Sequence, residues 1–461
     1  MLFGSQLRTG DNRILVVDGT GRGHAICDLF VRTSPEVTVF YGPGCDVIEH
    51  PRIIPTRSIS LDNPDTALAF LAENPVEFVF VSNIDALSKG YVDVLRAHGH
   101  RTIGPTKAAA ELESSKERTK RFCADHGLPT ARSQFFSDLQ PALAYIRSLP
   151  YACVIKNDGL CKDGDGVTVC STADEATAAV KALAAASGDS FKVVIEERLY
   201  GPELSVFALL DGDSYLMFPT AVDFKRTLDG DAGKNCDGMG SIAPHPADSP
   251  ALHQDIRATL LDPLLRGLRR DRLDFTGFIY IGAMLTDDGL RVIEINARFG
   301  DSEAEVVLPG VHSDFAALCR AILAGELSHH ELATDDQVRC TVALTQGCLD
   351  HSDPDALPGW PFGQFAVDQP VAGLNRVDPD QATLFYANLR RDPAGRPVTC
   401  GGRVLHVVGE GRSLAQARDR AYEQLRRIEF PGMRYRSDIG AKAVAALTAG
   451  EVINMNNTQP N

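Results

Sequence analysis

Between residues 13 and 105 the chain alternates short β-branched runs with helical segments, and no other feature restricts its fold as much. RILVVDG, VTVFYG, EFVFVSN and RTIGP read as strands, with AICDLFVRT, DTALAFLAE and GYVDVLRAHG as the helices between them. A helix between two strands brings the chain back to begin the second strand at the same end. A doubly wound parallel sheet is therefore expected. Beyond it the pattern changes. ELESSKERTKRFCADHG, 111–127, reads as one charged amphipathic helix stopped by Gly127, and 151–210 returns to strands around the helix DEATAAVKALAAA. Residues 223–243 carry glycine and charge with little regular period. A helix at about 251–270 and the strands TGFIYIGAML and LRVIEINA follow. From about 340, CTVALTQ and GRVLHVVGEG read as strands, SLAQARDRAYEQLRRIEF as a long helix, and EVINMNNTQPN as a frayed polar tail.

A chain of 461 residues is long for one core, and about three domains are expected. Its composition, 44% apolar and 23% charged, is that of a soluble globular protein. No run of about 18 apolar residues exists, so no membrane span is expected. MLFGSQLRTGDNRILVV lacks a basic region followed by an apolar block, so no signal peptide is expected either. Eleven cysteines without CxxC spacing fit small thiols in a reducing cytoplasm. Against 61 acidic residues stand 46 Lys and Arg, a net charge of −15 that argues against a nucleic-acid partner. It does not argue against a nucleotide.

VIEINARFGDSEAE, 292–305, carries the clearest chemistry. Alternate strand residues share a face, so Glu294, Asn296 and Arg298 line one side while Ile293, Ile295 and Ala297 are expected to face a core. A carboxylate and an amide oxygen in line suit Mg2+ held against phosphates. A strand solvated on one side is the alternative. VVDGTGRGHAI, 16–26, is a glycine-rich turn opening a helix, where free N–H groups and the helix dipole favour an anion, a merely tight βα turn being the alternative. Its G-x-G-x-G spacing and the following strand, which ends without an acidic residue, do not match a dinucleotide fingerprint.

VIKNDGLCKDGDGVTVC, 154–170, sets Gly159, Gly164 and Gly166 in a loop between β-branched segments with Lys156 at its root. That is a flap able to close over phosphates, or an ordinary hairpin. VVIEERLYGPELSVFAL ends a strand on Glu196 and Glu197 and begins the next at Glu203. Carboxylates there are acceptors for ribose hydroxyls, or plain surface charge. DFKRTLDGDAGKNCDGMGSIAP, 223–244, is too dense in charge for a linker and reads as a loop lining a substrate site.

Taken in order, these segments resemble the ATP-grasp ligases, and within them the phosphoribosylamine–glycine ligase family, over roughly residues 13–445. The most specific parts are DFKRTLDGDAGKNCDGMG, VIEINARFGDSE and GMRYRSDIGAKAV. The resemblance implies an α/β (α+β) architecture in three parts. They are a doubly wound domain over 1–107, an ATP-grasp unit over 108–335 with a mobile lid at about 122–198, and a small α+β domain over 336–445, before a tail at 446–461. It implies Mg2+ (or Mn2+) on Glu294 and Asn296, Arg298 and Lys225 in the catalytic step, and Lys116 and Lys156 on the phosphates of ATP. Gly159, Gly164 and Gly166 become the flap, Glu196 and Glu197 the adenine hinge, and Glu203 the ribose acceptor. Arg22, His24, Asp223, Asn235, Gly238, Met239 and Gly240 are implied in substrate binding. The partners implied are a small carboxylate and an amine, for a cytoplasmic monomer or homodimer. The reaction implied is amide formation through an acyl phosphate, with ADP released.

Departures cluster at the N-terminal loops. The family's GNGGREHA is DGTGRGHA here, keeping Arg22 and His24 but setting Gly23 at the glutamate position. Its PGN ends in Cys45, and its GPE-x-PL becomes Ser82-Asn83-Ile84-Asp85-Ala86-Leu87. The flap carries Asp165 where a lysine is usual, with Lys162 nearby. Phe224, Lys234, Cys236 and Asp237 also depart from the usual residues of their loop. Because the family grips phosphoribosylamine at those N-terminal loops, the expectation is a ligase for a different amine, in specialised metabolism. A genuine phosphoribosylamine–glycine ligase is the second reading, and a non-catalytic ATP-binding scaffold the third.

Overall fold

A computed structural model describes residues 12–160, 166–236, 238–347 and 365–449. The N-terminal sheet is built from β1 (Arg13–Asp18), β2 (Thr38–Pro43), β3 (Ile53–Pro55), β4 (Phe78–Val81) and β5 (Thr102–Ile103) in the order β3-β2-β1-β4-β5. Every pairing in it is parallel. Helices α1 (Gly21–Thr33), α2 (Pro64–Glu73), α3 (Ile84–Ser88) and α4 (Tyr91–Ala97) form its crossovers. The near-continuous apolar strands allow it: Ile14, Leu15, Val16 and Val17 are all fully buried, as a sheet covered on both faces requires.

The helix expected over 111–127 is two helices, α5 (Lys107–Ser114) and α6 (Lys116–His126). Ser115 breaks it. Its extended backbone ends α5, while its hydroxyl accepts from the Arg118 N–H at 3.1 Å and starts α6. Competition of this kind between a serine side chain and the helical backbone has no signature in hydrophobic period. Gly127 ends α6 in the left-handed conformation, φ 72°, as expected.

Next comes a small antiparallel body. β6 (Ser133–Phe136), β7 (Cys153–Asn157), β8 (Val167–Cys170) and β9 (Val193–Glu197) pair in the order β6-β9-β7-β8, backed by α7 (Leu139–Ser148) and α8 (Ala173–Ser187). Its apolar side chains form a core of their own, around Ile146, Ile155, Val180 and Val193. The β7–β8 hairpin carries the expected flap loop; Gly164 in it lies outside the described residues.

The chain then builds β10 (Glu203–Leu210) and β11 (Tyr215–Met217), followed by the short strands β12 (Val222–Asp223), β13 (Arg226–Leu228), β14 (Ala232–Asn235) and β15 (Gly240–Ala243). Thus 223–243, which shows no period in sequence, is a hairpin (β13–β14) between two sheet strands. After α9 (Pro250–Ile256) and α10 (Asp262–Arg270), β16 (Gly277–Thr286) and β17 (Gly289–Asn296) complete the sheet β11-β10-β16-β17. Helices α11 (Glu303–Val307) and α12 (Phe315–Ala324) lead to the last sheet.

That sheet contains β18 (Val338–Gln346), β19 (Ala382–Tyr386) and β22 (Arg403–Gly411), with the hairpin β20 (Leu389–Arg391) and β21 (Pro397–Thr399) beside it. Helix α13 (Leu414–Leu425), β23 (Met433–Arg434) and α14 (Ala441–Ala449) close the chain. The sheet order is β12-β15-β18-β22-β19, so it takes two strands from the central segment and crosses the boundary expected at 335. Gly240 permits it: a Cβ there would lie 2.4 Å from the carbonyl of Thr341. Among the described residues no helix is long and apolar enough to cross a membrane.

Candidate active site

Strand β17 positions the site, and it does so through a bulge. Gly282 of β16 faces Glu294, but Ala283 faces Val292, leaving Ile293 as an extra residue. The bulge breaks the two-residue alternation. The buried set is Val292, Ile295 and Ala297, and Ile293 is only half-buried, which corrects the expected core face of Ile293, Ile295 and Ala297. The Ile293 carbonyl instead accepts from Lys156 Nζ at 3.1 Å.

Glu294 is 3.2 Å from Lys225 Nζ, which also reaches Glu203 at 3.5 Å. The Lys225 side chain is 22% exposed and that of Glu294 39%, so the pair lines a cleft rather than a core. Lys225, helped by Lys156 and Arg298 against the effect of burial, holds the Glu294 carboxyl down at about 2. Burial opposes the charge on Lys225, but Glu294, Tyr280, Glu203 and Asp223 keep its ammonium well above the usual range. Glu294 is thus an anion at every physiological pH. Asn296, two residues on, is 8% exposed. Arg298 lies past the strand end and pairs with Glu113 at 2.8 Å; Glu113 also accepts from the Ala297 N–H at 2.7 Å. Lys225, Glu203, Glu294, Lys156 and Arg298 are therefore brought together.

The lysines implied for phosphates connect the small antiparallel body to the rest of the chain. Lys116 Nζ donates to the Gly159 carbonyl at 2.9 Å, at the root of the flap. Asp158 beside it accepts from Ser115 Oγ at 3.2 Å and the Glu117 N–H at 3.1 Å, so the start of α6 is stitched to the hairpin. Gly166 closes the other side, its carbonyl accepting from the Asn157 N–H at 2.8 Å. Lys156 is buried and lies 3.1 Å from Glu196, which Lys120 approaches at 2.9 Å. The Glu196 carboxylate sits inside this triad and is 3% exposed. Glu197 points outward to Arg132 at 2.9 Å.

Two partners here escaped the sequence reading: Lys120 and Glu113. Lys120 follows Lys116 by four residues, hence on the same helical face, and that spacing was the available signal. Glu113 had none, because its partner Arg298 is far along the chain.

The residues implied for the substrates divide. Asp223 accepts from Ser302 Oγ at 3.2 Å, and Gly238 fits against both, since a Cβ there would lie 2.2 Å from Ser302 Oγ and 2.4 Å from Asp223 Oδ1. Asn235 ends β14 opposite Arg226. Met239 packs with Cys236 in a small apolar cluster. Arg22 is buried against Asp18 at 3.0 Å, and its N–H donates to Asp301 at 2.9 Å. His24 Nδ1 accepts from the Tyr386 N–H at 2.9 Å, with the ring stacked on Tyr386. Burial, with His50 nearby, lowers His24 to about 3, so it is a neutral ring fastening α1 to β19. The glycine-rich turn, where an anion was expected, already has an internal one: Asp18 Oδ1 accepts from the N–H groups of Gly19 at 2.7 Å and Thr20 at 2.9 Å.

Three family models match the chain in succession: the N domain (residues 12–113), the ATP-grasp (A) domain (114–304) and the C domain (356–442) of phosphoribosylglycinamide synthetase. A protein of Vibrio parahaemolyticus named phosphoribosylamine–glycine ligase is 36% identical over 440 residues, covering 94% of this chain and 99% of its own. One of the same name from Rhizobium meliloti is 37% identical over 444 residues, covering 95% and 100%. The crystal structure of phosphoribosylamine–glycine ligase from Thermotoga maritima aligns with a TM-score of 0.75 at 28% identity, over 93% of this chain and all 100% of that one. A biotin carboxylase domain from Hydrogenobacter thermophilus, solved with MgADP, shares the fold at a TM-score of 0.68 and 14% identity, over 92% of this chain and 91% of its own. With matched segments in the same order and both chains covered nearly end to end, this chain belongs to the phosphoribosylglycinamide synthetase family of ATP-grasp enzymes, ligases that form carbon–nitrogen bonds and release ADP.

Proposed function

We propose that the chain is a phosphoribosylamine–glycine ligase, joining the carboxylate of glycine to the amine of phosphoribosylamine at the expense of ATP. The observation that carries this reading is the completeness of the likeness. It runs through the N-terminal part as well as the ATP-grasp part, in relatives that bear one name.

Amide formation needs an activated carboxylate. Its oxygen attacks the γ-phosphorus of ATP, ADP leaves, and the amine nitrogen then displaces phosphate from the acyl phosphate and loses a proton. Bringing a carboxylate to a triphosphate sets anion against anion, so fixed cations are needed where charge develops. Lys225, Lys156 and Arg298 converge on Glu294 and fit that need. Glu294 and Asn296 offer an ionised and a neutral oxygen donor, a set that suits Mg2+, which when bound neutralises phosphate charge.

The different amine and the specialised metabolism expected from the N-terminal departures gain no support from the relatives. Several of the departing residues also have structural partners. A Cβ on Gly23 would lie 2.5 Å from the Tyr41 hydroxyl oxygen and 2.7 Å from Asp18 Cβ, so a larger side chain there would meet both. Ser82 donates to Asp18 at 2.9 Å, Asn83 accepts from the Asp85 N–H at 2.9 Å, and Cys45 donates to the Leu389 carbonyl at 3.2 Å. One feature favours the other reading: the side chain of Ile84, at the family's glutamate position, is a hydrocarbon with no acceptor for a sugar hydroxyl.

The deciding experiment measures ADP release from Mg-ATP and glycine, with and without phosphoribosylamine generated in the cuvette, and seeks glycinamide ribonucleotide by mass spectrometry. Product at an ordinary enzymatic rate supports the proposal. ADP and a new amide formed only with another amine would transfer the function to the second reading.

A further inference from the structure

One group of buried polar atoms is left over from the chemistry above. Asp301, in the turn after β17, Glu305 of α11 and His406 of β22 each bring a potential ligand atom to within 4.8 Å of the others. Glu305 and His406 are wholly enclosed, each at 0% exposure. Glu305 Oε2 accepts from the Ser302 N–H at 2.9 Å, but among the described residues Oε1 has no hydrogen-bond partner, and neither ring nitrogen of His406 has one. The closest approach of the two side chains, Nε2 to Oε1, is 3.7 Å, too long for a hydrogen bond. A buried polar atom without a partner has given up its hydrogen bonds to water and gained none in return. Here three such atoms share one spot beside a carboxylate. Asp301 is held by the Arg22 N–H at 2.9 Å and by Arg403 at 3.3 Å, and a carboxylate has lone pairs beyond those two contacts. Gly21, at the start of α1, makes room: a Cβ there would lie 2.4 Å from Glu305 Oε1 and 2.9 Å from His406 Cδ2.

We propose that Asp301, Glu305 and His406 form a binding site for a divalent transition metal of the zinc class, separate from the Mg2+ donors Glu294 and Asn296. The ligand chemistry distinguishes the two. Mg2+ takes oxygen donors and keeps its waters, whereas an imidazole nitrogen with two carboxylates suits Zn2+. The ion neutralises the enclosed Glu305 and the half-buried Asp301 and gives the enclosed imidazole a partner. It joins α11, β22 and the turn that receives the Arg22 N–H, fastening the start of α1 to the C-terminal sheet. The site serves whichever amine the enzyme uses.

The test takes the full-length protein, strips it with a chelator and titrates it with Zn2+ alone against a chromophoric competitor, without ATP. One Zn2+ per chain is expected, unchanged in Glu294→Gln and at least tenfold weaker in Glu305→Gln and His406→Ala. His406→Cys supplies a readout that a structural role does not move. Loaded with Co2+, it is expected to gain a thiolate-to-cobalt charge-transfer band in the near ultraviolet that the unsubstituted protein lacks. Failure of the stripped protein to take up one Zn2+, equal uptake by His406→Ala, or Co2+ bound to His406→Cys without that band would each overturn the site.

Discussion

A single side chain decides most where it stands in a cluster of charge. Glu294 is anionic because Lys225 faces it at 3.2 Å, and Lys225 is cationic for the reciprocal reason. Removing the carboxylate removes an electrostatic group worth roughly 10²–10³ in rate at such sites. Glu294→Ala is accordingly expected to lose ADP release by at least that factor while keeping its Tm within a few degrees, since Lys225 keeps Glu203. Unchanged turnover would remove Glu294 from the reaction. Glu196 shows the same outcome at a more deeply buried position. Burial raises its carboxyl, but Lys156 and Lys120 outweigh that and hold it below the usual range. A carboxyl lowered in the folded state stabilises the protein above its unfolded pKa, about 4.3, and loses that effect as pH falls through the folded value. Glu196→Gln leaves two buried ammoniums facing each other, a change on the order of 3 kcal/mol. The Tm difference from the unsubstituted protein is expected in full at neutral pH and to close in acid below about 4.3. A pH-independent gap in thermal scans would contradict the triad.

At the scale of elements, small local choices set where functional groups land. Ser115 separates α5 from α6, caps the second helix and contacts Asp158 at the flap root. Ser115→Ala is expected to cost about 1 kcal/mol in denaturant unfolding, typical of a lost N-cap. It should also loosen ATP binding, because Lys116 begins the same turn. A Ser115→Thr variant with normal KM for ATP would support the cap, and normal KM in Ser115→Ala would argue against the link. Gly238 is tighter still. A methyl group there meets Ser302 Oγ at 2.2 Å and Asp223 Oδ1 at 2.4 Å, so Gly238→Ala is expected to displace Asp223. KM for one organic substrate should rise while KM for ATP stays constant. A rise for both, or for neither, in initial-rate kinetics would dissociate Asp223 from substrate binding.

Across the whole molecule, the C-terminal segment holds the central hairpin in place. Arg436 is 1% exposed. It lies 2.8 Å from Asp231 and from Asp438, and donates to the Arg226 carbonyl at 3.2 Å. Lys442 adds a contact to Asp231 at 2.7 Å. The hairpin begins one residue after Lys225, so the last motif of the chain supports the first residue of the cleft. Arg436→Ala takes the buried cation from two partly exposed carboxylates, of which Asp231 keeps Lys442, and a loss of about 1–3 kcal/mol is expected in urea unfolding. Arg436→Lys should recover only part of it, because one ammonium cannot copy a fork between two carboxylates. Full recovery by lysine would reduce the contact to charge alone.

Local pattern determined a great deal here. Buried β-branched runs between helices dictate the parallel sheet, because a strand covered on both faces has no polar side to show. The run Glu294, Asn296, Arg298 marked the cleft, because oxygen donors two residues apart on a strand near a cation serve chemistry better than packing. What pattern could not carry was partnership at long range. The bulge at Ile293 depends on β16, the burial of Glu196 on two lysines from other elements, and the structural use of His24 on Tyr386. Strands from the central segment join the C-terminal sheet for the same reason, with Gly240 open to Thr341. Periodicity and local chemistry act between neighbours in the chain and are legible there. Pairing of charges, closure of space and the register of distant strands exist only once the chain has come together, and tertiary structure alone decided them.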